Sequence, residues 1–178
     1  MGGIPLVVLV AEKSKFLEPY KVEAVLKRAV DSITPAGGEV SLVVYSSRAL
    51  PLLDPTPDAP RILEAYEEAP ILPGAPEPSL ALREAGELVA HYRDSLTGPV
   101  VVVLLWSTKS RPRRALRVAE FYLAALGARL VVVLLSPKRR PWAQKFFPHA
   151  ASILYSDPPA RIGRIGEALS RALEAGEE

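Results

Sequence analysis

The chain has 178 residues, of which 49% are hydrophobic and 24% charged, and its formal net charge is +2. This composition is typical of one globular domain with a substantial core, and it excludes a disordered chain. Cysteine is absent, which excludes disulfides, thiolate metal sites and cysteine nucleophiles. No apolar run approaches the roughly 20 residues that cross a bilayer, and no signal-peptide pattern is present, so we expect a cytoplasmic protein. Abundant proline and the absence of asparagine suggest a hyperthermophilic source, although a GC-rich genome would leave a similar composition.

Short apolar runs alternate with segments of helical period, which predicts a mostly parallel sheet with helices on both faces. The first run is a continuous Val/Leu stretch, typical of a strand buried on both faces. The second run ends in the turn Ser46–Arg48, and so short a turn joins antiparallel strands, because a parallel pair needs a crossover. The predicted strands are Ile4–Ala11, Glu39–Ser46, Ala49–Leu53, Val100–Trp106, Arg129–Leu135 and Ser152–Tyr155.

The segments between these strands carry apolar stripes at helical spacing. The predicted helices are Glu18–Ile33, Arg61–Glu68, Ser79–Leu96, Pro112–Leu126, a short one near Trp142–Phe147, and Pro159–Ala175. The predicted fold class is therefore α/β: three layers in the order α-β-α, with a mostly parallel, Rossmann-like sheet and one antiparallel edge strand. We find no internal repeat or domain boundary, so residues 1–178 are expected to form a single domain.

Four local phrases follow this order of elements: LVVYSSRALPLL (Leu42–Leu53), ILPGAPEPSLALREAGELV (Ile71–Val89), VVVVLLWSTKSRP (Val100–Pro112) and LGARLVVVLLS (Leu126–Ser136). Together with the hairpin after the first helix, they resemble the von Willebrand factor A domain along nearly the whole chain. The resemblance implies a divalent metal held by Asp-x-Ser-x-Ser, a Thr and a later Asp at the carboxyl ends of the strands. Oxygen ligands of this kind suit Mg²⁺.

Carried over residue by residue, the implied metal ligands are missing. The first Asp falls on Ala11, its two Ser on Lys13 and Lys15, the Thr near Pro76, and the later Asp on Ser107. Glu12 is adjacent, but side chains alternate along a strand, so we expect it to point away from the site. Two ammonium groups would also repel a cation. We therefore predict a degenerate site that binds no metal, and a protein without a cofactor.

Basic residues are concentrated in the second half of the chain. Residues 101–156 contain ten Lys or Arg and a single acidic residue, Glu120. In this topology the loops after four parallel strands open at one edge of the sheet, the usual ligand crevice. We call the hydroxyl and basic side chains of these loops the rim. Its candidate residues are Lys13, Ser14, Lys15, Arg48, Ser107, Thr108, Lys109, Arg111, Lys138, Arg139 and Arg140.

The rim supports two interpretations. Its cations are suited to bind an anion, either an acidic protein segment or a phosphate backbone. Alternatively, they are solvated loop residues, or they pair with the acidic, proline-rich segment of residues 54–78. Trp106 and Trp142 lie beside the basic loops, and we expect both to be buried against helices rather than to anchor a partner.

The sequence contains no nucleophile elbow, no Walker loop and no dinucleotide fingerprint. Neither His91 nor His149 has a recognisable spacing to a nucleophile or metal ligand. We therefore expect a non-enzymatic scaffold or adaptor module that binds a protein partner, with a nucleic-acid-binding or phosphate-binding module as the alternative. No membrane partner is expected, and the oligomeric state is left open.

Overall fold

The computed structural model describes residues 3–136, 138–155 and 163–174 of the chain. Its strands are β1 Leu6–Glu12, β2 Glu39–Tyr45, β3 Ala49–Thr56, β4 Val100–Trp106, β5 Arg129–Leu134 and β6 Ser152–Tyr155. They form one six-stranded sheet in the order β3-β2-β1-β4-β5-β6, in which only β3 is antiparallel to its neighbour. The predicted parallel sheet with an antiparallel edge strand is therefore confirmed.

Helices cover both faces of this sheet. They are α1 Pro19–Ile33, α2 Arg61–Glu68, α3 Pro78–Tyr92, α4 Arg114–Ala125, α5 Ala143–Phe146 and α6 Gly163–Glu174. One buried cluster joins α1, α2 and α6 to one face of the sheet, and a second joins α3, α4 and α5 to the other face. We call these the α1–α6 layer and the α3–α4 layer. The three-layer α-β-α prediction is thus confirmed.

The alternation of side chains along β1 decides which layer each residue meets. Every residue of β1 is buried. Val7, Leu9 and Ala11 contribute to the core of the α1–α6 layer, whereas Val8 and Val10 contribute to the core of the α3–α4 layer. The central strand therefore divides the molecule into an odd-numbered side and an even-numbered side.

Element boundaries differ from the predictions at a few ends. The first strand continues to Glu12, and β3 runs on to Thr56 through two prolines, which an edge strand tolerates because one of its sides needs no hydrogen bonds. The predicted helix Ser79–Leu96 ends at Tyr92 and is followed by the 3₁₀ turn Arg93–Ser95. The outermost residues of the predicted last helix, 159–162 and 175, lie outside the described part of the chain.

Candidate functional site: the carboxyl edge of the sheet

The loops that carry the rim all lie at one edge of the sheet. β1, β2, β4 and β5 run parallel, so their carboxyl ends point the same way, and the β2–β3 turn lies at that edge as well. The topology therefore brings the predicted rim loops together, although they are far apart in sequence.

Glu12 is the buried carboxylate at the centre of this edge, and its predicted orientation was wrong. Its side chain is fully buried; Oε1 accepts a hydrogen bond from the Ser107 backbone N–H at 2.9 Å, and Oε2 accepts one from the Ser14 hydroxyl at 2.6 Å. The error is one of register. Even-numbered residues of β1 face the α3–α4 layer and the crevice, so Glu12 and Ser14, rather than Ala11 and Lys13, lie at the site.

Burial also changes the acidity of this carboxyl group. Desolvation raises the pKa of Glu12, and the hydrogen bonds from Ser107 and Ser14 oppose that rise only in part. Because both carboxylate oxygens accept protein hydrogen bonds, Glu12 ties the loop after β1 to the loop after β4.

Lys13 was predicted to belong to the exposed rim, and the structure contradicts this. The side chain is only 6% exposed, and its Nζ donates a hydrogen bond to the Tyr66 carbonyl oxygen at 2.7 Å. The same Nζ lies 4.2 Å from the centre of the Tyr66 ring, a cation–π contact. Burial lowers the pKa of Lys13, with the charges of Glu23 and Glu67 opposing the shift. Lys13 therefore joins the β1 turn to α2 on the odd-numbered side of the strand.

The rim hydroxyls and neighbouring serines hold the loops together. Ser46 donates to the Gly74 carbonyl oxygen and Ser47 to the Pro73 carbonyl oxygen, each at 2.7 Å. Gly74 has φ +84° and lies so close to Ser47 that an added Cβ would be 2.6 Å from its Oγ. The Leu72 N–H donates to the Lys13 carbonyl oxygen at 2.8 Å. These hydrogen bonds hold the proline-rich segment along the edge of the sheet.

Thr108 has an unusual backbone within the rim. Its φ is +63°, uncommon for a residue other than glycine, and its hydroxyl is buried without a hydrogen-bond partner in the described part of the chain. Its neighbour Ser107 accepts a hydrogen bond from the Lys109 N–H at 3.3 Å. The loop after β4 therefore leaves Ser107 bound to Glu12 and Lys109 exposed.

Six rim cations are exposed and make no ion pair with any described residue: Lys15, Arg48, Lys109, Arg111, Lys138 and Arg139. Arg140 is half-buried, and its backbone N–H donates to the Tyr155 hydroxyl at 3.0 Å. Among the described residues, a cation outside the rim, Arg113, pairs with the proline-rich segment, at 3.3 Å from Glu77. The ion-pairing interpretation is therefore wrong for these six cations.

The aromatic and histidine residues have structural contacts. Trp106 is fully buried, as predicted, and its ring lies 5.4 Å from that of the half-buried Trp142. His149 binds the buried Glu120 through its backbone N–H and through Nδ1, the latter at 2.7 Å. His91 is exposed and packs edge-on against the ring of Tyr92. The described residues contain no group of three or more His, Asp or Glu side chains able to hold a metal ion.

Neither a family model nor a curated protein sequence matches the chain. Solved structures do. A von Willebrand factor type A protein from Catenulispora acidiphila superposes with a TM-score of 0.77 at 14% identity, covering 96% of this chain and 43% of that one. An aerotolerance-related membrane protein from Bacteroides fragilis superposes with a TM-score of 0.74 at 11% identity, covering 97% of this chain and 100% of that one.

The vWF domain of the type V pili tip protein Mfa5 from Porphyromonas gingivalis also gives 0.74 at 11% identity, covering 97% of each chain. At such identities the likeness establishes the fold alone. Among the described residues, no helix has both the length and the apolar character needed to cross a membrane. From the sheet order, the two helical layers and these likenesses, the chain has a von Willebrand factor A-like fold.

Proposed function

We propose that this protein is a non-enzymatic interaction module that binds acidic segments of a partner protein through the exposed cations of its rim. The observation that carries the proposal is the presence of six exposed Lys and Arg side chains that have no ion-pair partner among the described residues. The fold is one that commonly mediates protein–protein interaction, but a fold alone does not determine a function. On the sequence pattern we place this activity in the cytoplasm.

We further infer that the metal site implied by the fold has been lost. Mg²⁺ requires near-octahedral oxygen ligands, commonly including one or two carboxylates. At this edge the buried carboxylate is Glu12, and protein donors already bind both of its oxygens. Burial raises the pKa of Glu12, so at a given pH its carboxyl group carries less negative charge than an exposed carboxylate. A neutralising metal is therefore replaced by a direct connection between the β1 and β4 loops.

The absence of catalysis is part of the proposal and rests on the same contacts. The Ser14 hydroxyl donates to the Glu12 carboxylate rather than to a histidine base, and Ser107 reaches the same carboxylate through its backbone N–H, so among the described residues neither serine forms a Ser–His pair. His149 is bound to Glu120 on the far side of α4. Binding would instead follow from charge: the loops are held by their hydroxyls, and the long cationic side chains project from them to meet carboxylates.

A phosphate backbone would use the same cations, and a nucleic-acid-binding module is the second candidate. The ten-to-one excess of basic residues over residues 101–156 favours it. The net charge of only +2 favours a smaller anion, because non-specific nucleic-acid binding usually relies on many neutralised phosphates.

Fluorescence anisotropy with two probes, a labelled polyglutamate peptide and a labelled DNA duplex, tests both candidates. The rim variant is Lys15→Ala, Lys109→Ala and Arg139→Ala combined. Its matched control replaces three exposed cations of the α1–α6 layer, Lys27, Arg28 and Arg164, each with Ala. We expect the peptide to bind wild type and the control equally, to bind the rim variant at least tenfold more weakly, and to dissociate as salt is raised.

Three outcomes would contradict the proposal or change it. Equal peptide binding by the rim variant and wild type would remove the rim as the binding surface. Tight DNA binding with a steep salt dependence would support the second candidate. A rise in melting temperature at sub-millimolar Mg²⁺ that disappears in Glu12→Gln would show that Glu12 helps to bind the metal, and would contradict the inferred loss of the site.

A further inference from the structure

The outward side of α4, together with the start of α3, is apolar where a surface helix is normally polar. Val118 and Phe121 are each 63% exposed, and Leu80 and Tyr122 are 40% and 36% exposed. These four are a majority of the seven large hydrophobic side chains that the described residues leave exposed. They lie outside the buried stripe of the same helices, so the core does not account for their exposed surface.

A groove of about 470 Å³ runs between α3 and α4. Its apolar lining comes from Leu80, Val118 and Tyr122, with Ala115 and Ala119 between them. One end is closed where the helices meet closely: an added Cβ on Gly86 would lie 2.5 Å from the Tyr122 ring. The lining begins with Leu80 and Ala115, near the amino termini of the two helices.

The amino-terminal end of the groove lies at the same edge of the sheet as the rim. α3 leads into β4 and α4 leads into β5, and these two strands are parallel, so both helices start at the carboxyl edge. Exposed Arg114 and Arg117 lie at the start of α4, next in sequence to the lining residues Ala115 and Val118, and have no ion-pair partner among the described residues. The acidic residue of α4, Glu120, is buried against His149. The charge beside the groove on α4 is therefore wholly positive.

We propose that the α3–α4 groove binds an acidic amphipathic helix of a partner protein. A third helix fits a groove between two helices, placing apolar side chains at i, i+3 or i+4, and i+7 against Leu80 and Val118. Its carboxylates would meet Arg114 and Arg117. A strand would need a free sheet edge to pair with, and α3 and α4 present none.

The shape and charges of the groove favour a helix over a lipid surface. A membrane meets a flat or convex patch, whereas this site is concave. Glu87 also lines the groove, held 3.4 Å from Arg83, and would face anionic headgroups unfavourably. A protein helix can place a neutral segment against that ion pair.

The test uses four labelled model peptides of about 18 residues, roughly five helical turns. One has leucines on one face and glutamates on the other; a second replaces the glutamates with lysines; two more have the same compositions in scrambled order. Anisotropy is measured with wild type, with Leu80→Ser/Val118→Ser, and with Arg114→Ala/Arg117→Ala. Ile4→Ser/Ile71→Ser is the matched control, because both residues are similarly exposed but lie outside the groove.

We expect the acidic amphipathic peptide to bind more tightly than its scrambled form. Leu80→Ser/Val118→Ser should weaken that binding roughly tenfold or more, since apolar anchors dominate such interfaces. Arg114→Ala/Arg117→Ala should weaken it several-fold and flatten its salt dependence. The Ile4→Ser/Ile71→Ser control should bind as wild type does.

The proposal is independent of the rim, and the same measurements separate the two. If the rim binds the acidic peptide, the peptide and its scrambled form should bind alike, and the Lys15/Lys109/Arg139 variant should bind neither. If the groove binds it, that variant should still bind the amphipathic peptide. Equal affinity for the glutamate and lysine amphipathic peptides would overturn the groove proposal. So would co-sedimentation with phosphatidylserine vesicles, or a dimer of this chain, that is lost in Leu80→Ser/Val118→Ser.

Discussion

The two helical layers each leave a groove between neighbouring helices, and the grooves have opposite character. In the α1–α6 layer, the groove of about 600 Å³ is polar and charged. Its lining includes Arg28, Asp31, Ser32, Glu167, Ser170, Arg171 and Glu174. In the α3–α4 layer, the groove is lined mainly by Leu80, Ala115, Val118 and Tyr122.

Both layers bury their inward stripes against the same sheet, so the difference is confined to their outer sides. On α6 an exposed ion pair, Glu167 with Arg171 at 3.7 Å, shows the solvated pattern that an outer face usually has. On α4 the exposed side chains include Val118 and Phe121 instead of such an ion pair. Packing against the sheet therefore accounts for the inward stripe of each layer, but not for the apolar outer groove of the α3–α4 layer.

The largest expected effect tests whether the two layers are equally well packed. Trp106→Ala removes a fully buried ring from the α3–α4 layer, and we expect the free energy of unfolding to fall by about 3–5 kcal/mol. Leu26→Ala, in the core of the α1–α6 layer, should lower the free energy of unfolding by about 2–5 kcal/mol. Urea denaturation measures both. A Trp106→Ala cost below about 1 kcal/mol would mean that the α3–α4 layer is loosely packed, and the comparison would fail.

Glu12 and Lys13 extend the contrast between the two layers to β1, because these consecutive side chains point towards opposite layers. Glu12→Ala leaves the Ser107 N–H and the Ser14 hydroxyl without their acceptor, and we expect the free energy of unfolding to fall by about 2–3 kcal/mol. Lys13→Met keeps the length of the side chain and removes a buried charge. The Tyr66 carbonyl oxygen loses its bond from Lys13 but still accepts one from the Ala69 N–H. We therefore expect the free energy of unfolding to change by less than about 1 kcal/mol. Chemical denaturation of the two variants decides; equal costs would contradict the assigned orientations.

The acidity of Glu12 predicts a pH dependence. Burial raises the pKa of Glu12 in the folded protein above the ordinary carboxyl value of about 4.3. The stability that this protonated group contributes is therefore fully present below the unfolded pKa, and it is lost as pH rises through the folded pKa. Glu12→Gln cannot ionise, so wild type should lose stability relative to Glu12→Gln as pH rises through that window. Urea denaturation of both proteins across the window measures the difference, and a constant difference would contradict the raised pKa.

The smallest expected effect lies on the two outer faces. Val118→Ser should change the free energy of unfolding by less than about 0.5 kcal/mol, because Val118 is exposed. It should nevertheless reduce retention on a hydrophobic-interaction column, as the groove loses apolar surface. Arg28→Ser in the polar groove should leave retention unchanged. Equal retention of Val118→Ser and wild type would remove the contrast between the two grooves.

Much of the fold could be predicted because its signals are local. The buried Val/Leu runs of β1, β4 and β5 and the stripe of α1 are periodic in sequence, and the Ser46–Arg48 turn is too short for a parallel connection. The rim was predicted in part for the same reason: parallel strands end at one edge, so loops after them meet wherever the chain runs. Lys15, Arg48 and Lys109 follow from that rule, and the structure leaves them exposed.

The tertiary structure alone decided the orientation of Glu12 and Lys13. Alternation in a strand determines which residues share a side, but not which layer covers that side, and a β1 strand buried on both faces has no polar face to set the phase. A carry-over one residue out of register therefore placed Ala11 and Lys13 where Glu12 and Ser14 lie. The α3–α4 groove was missed for a related reason. A helix rich in apolar residues on several sides does not show which side faces the sheet, and only packing against Gly86 and the strands leaves Val118 outside.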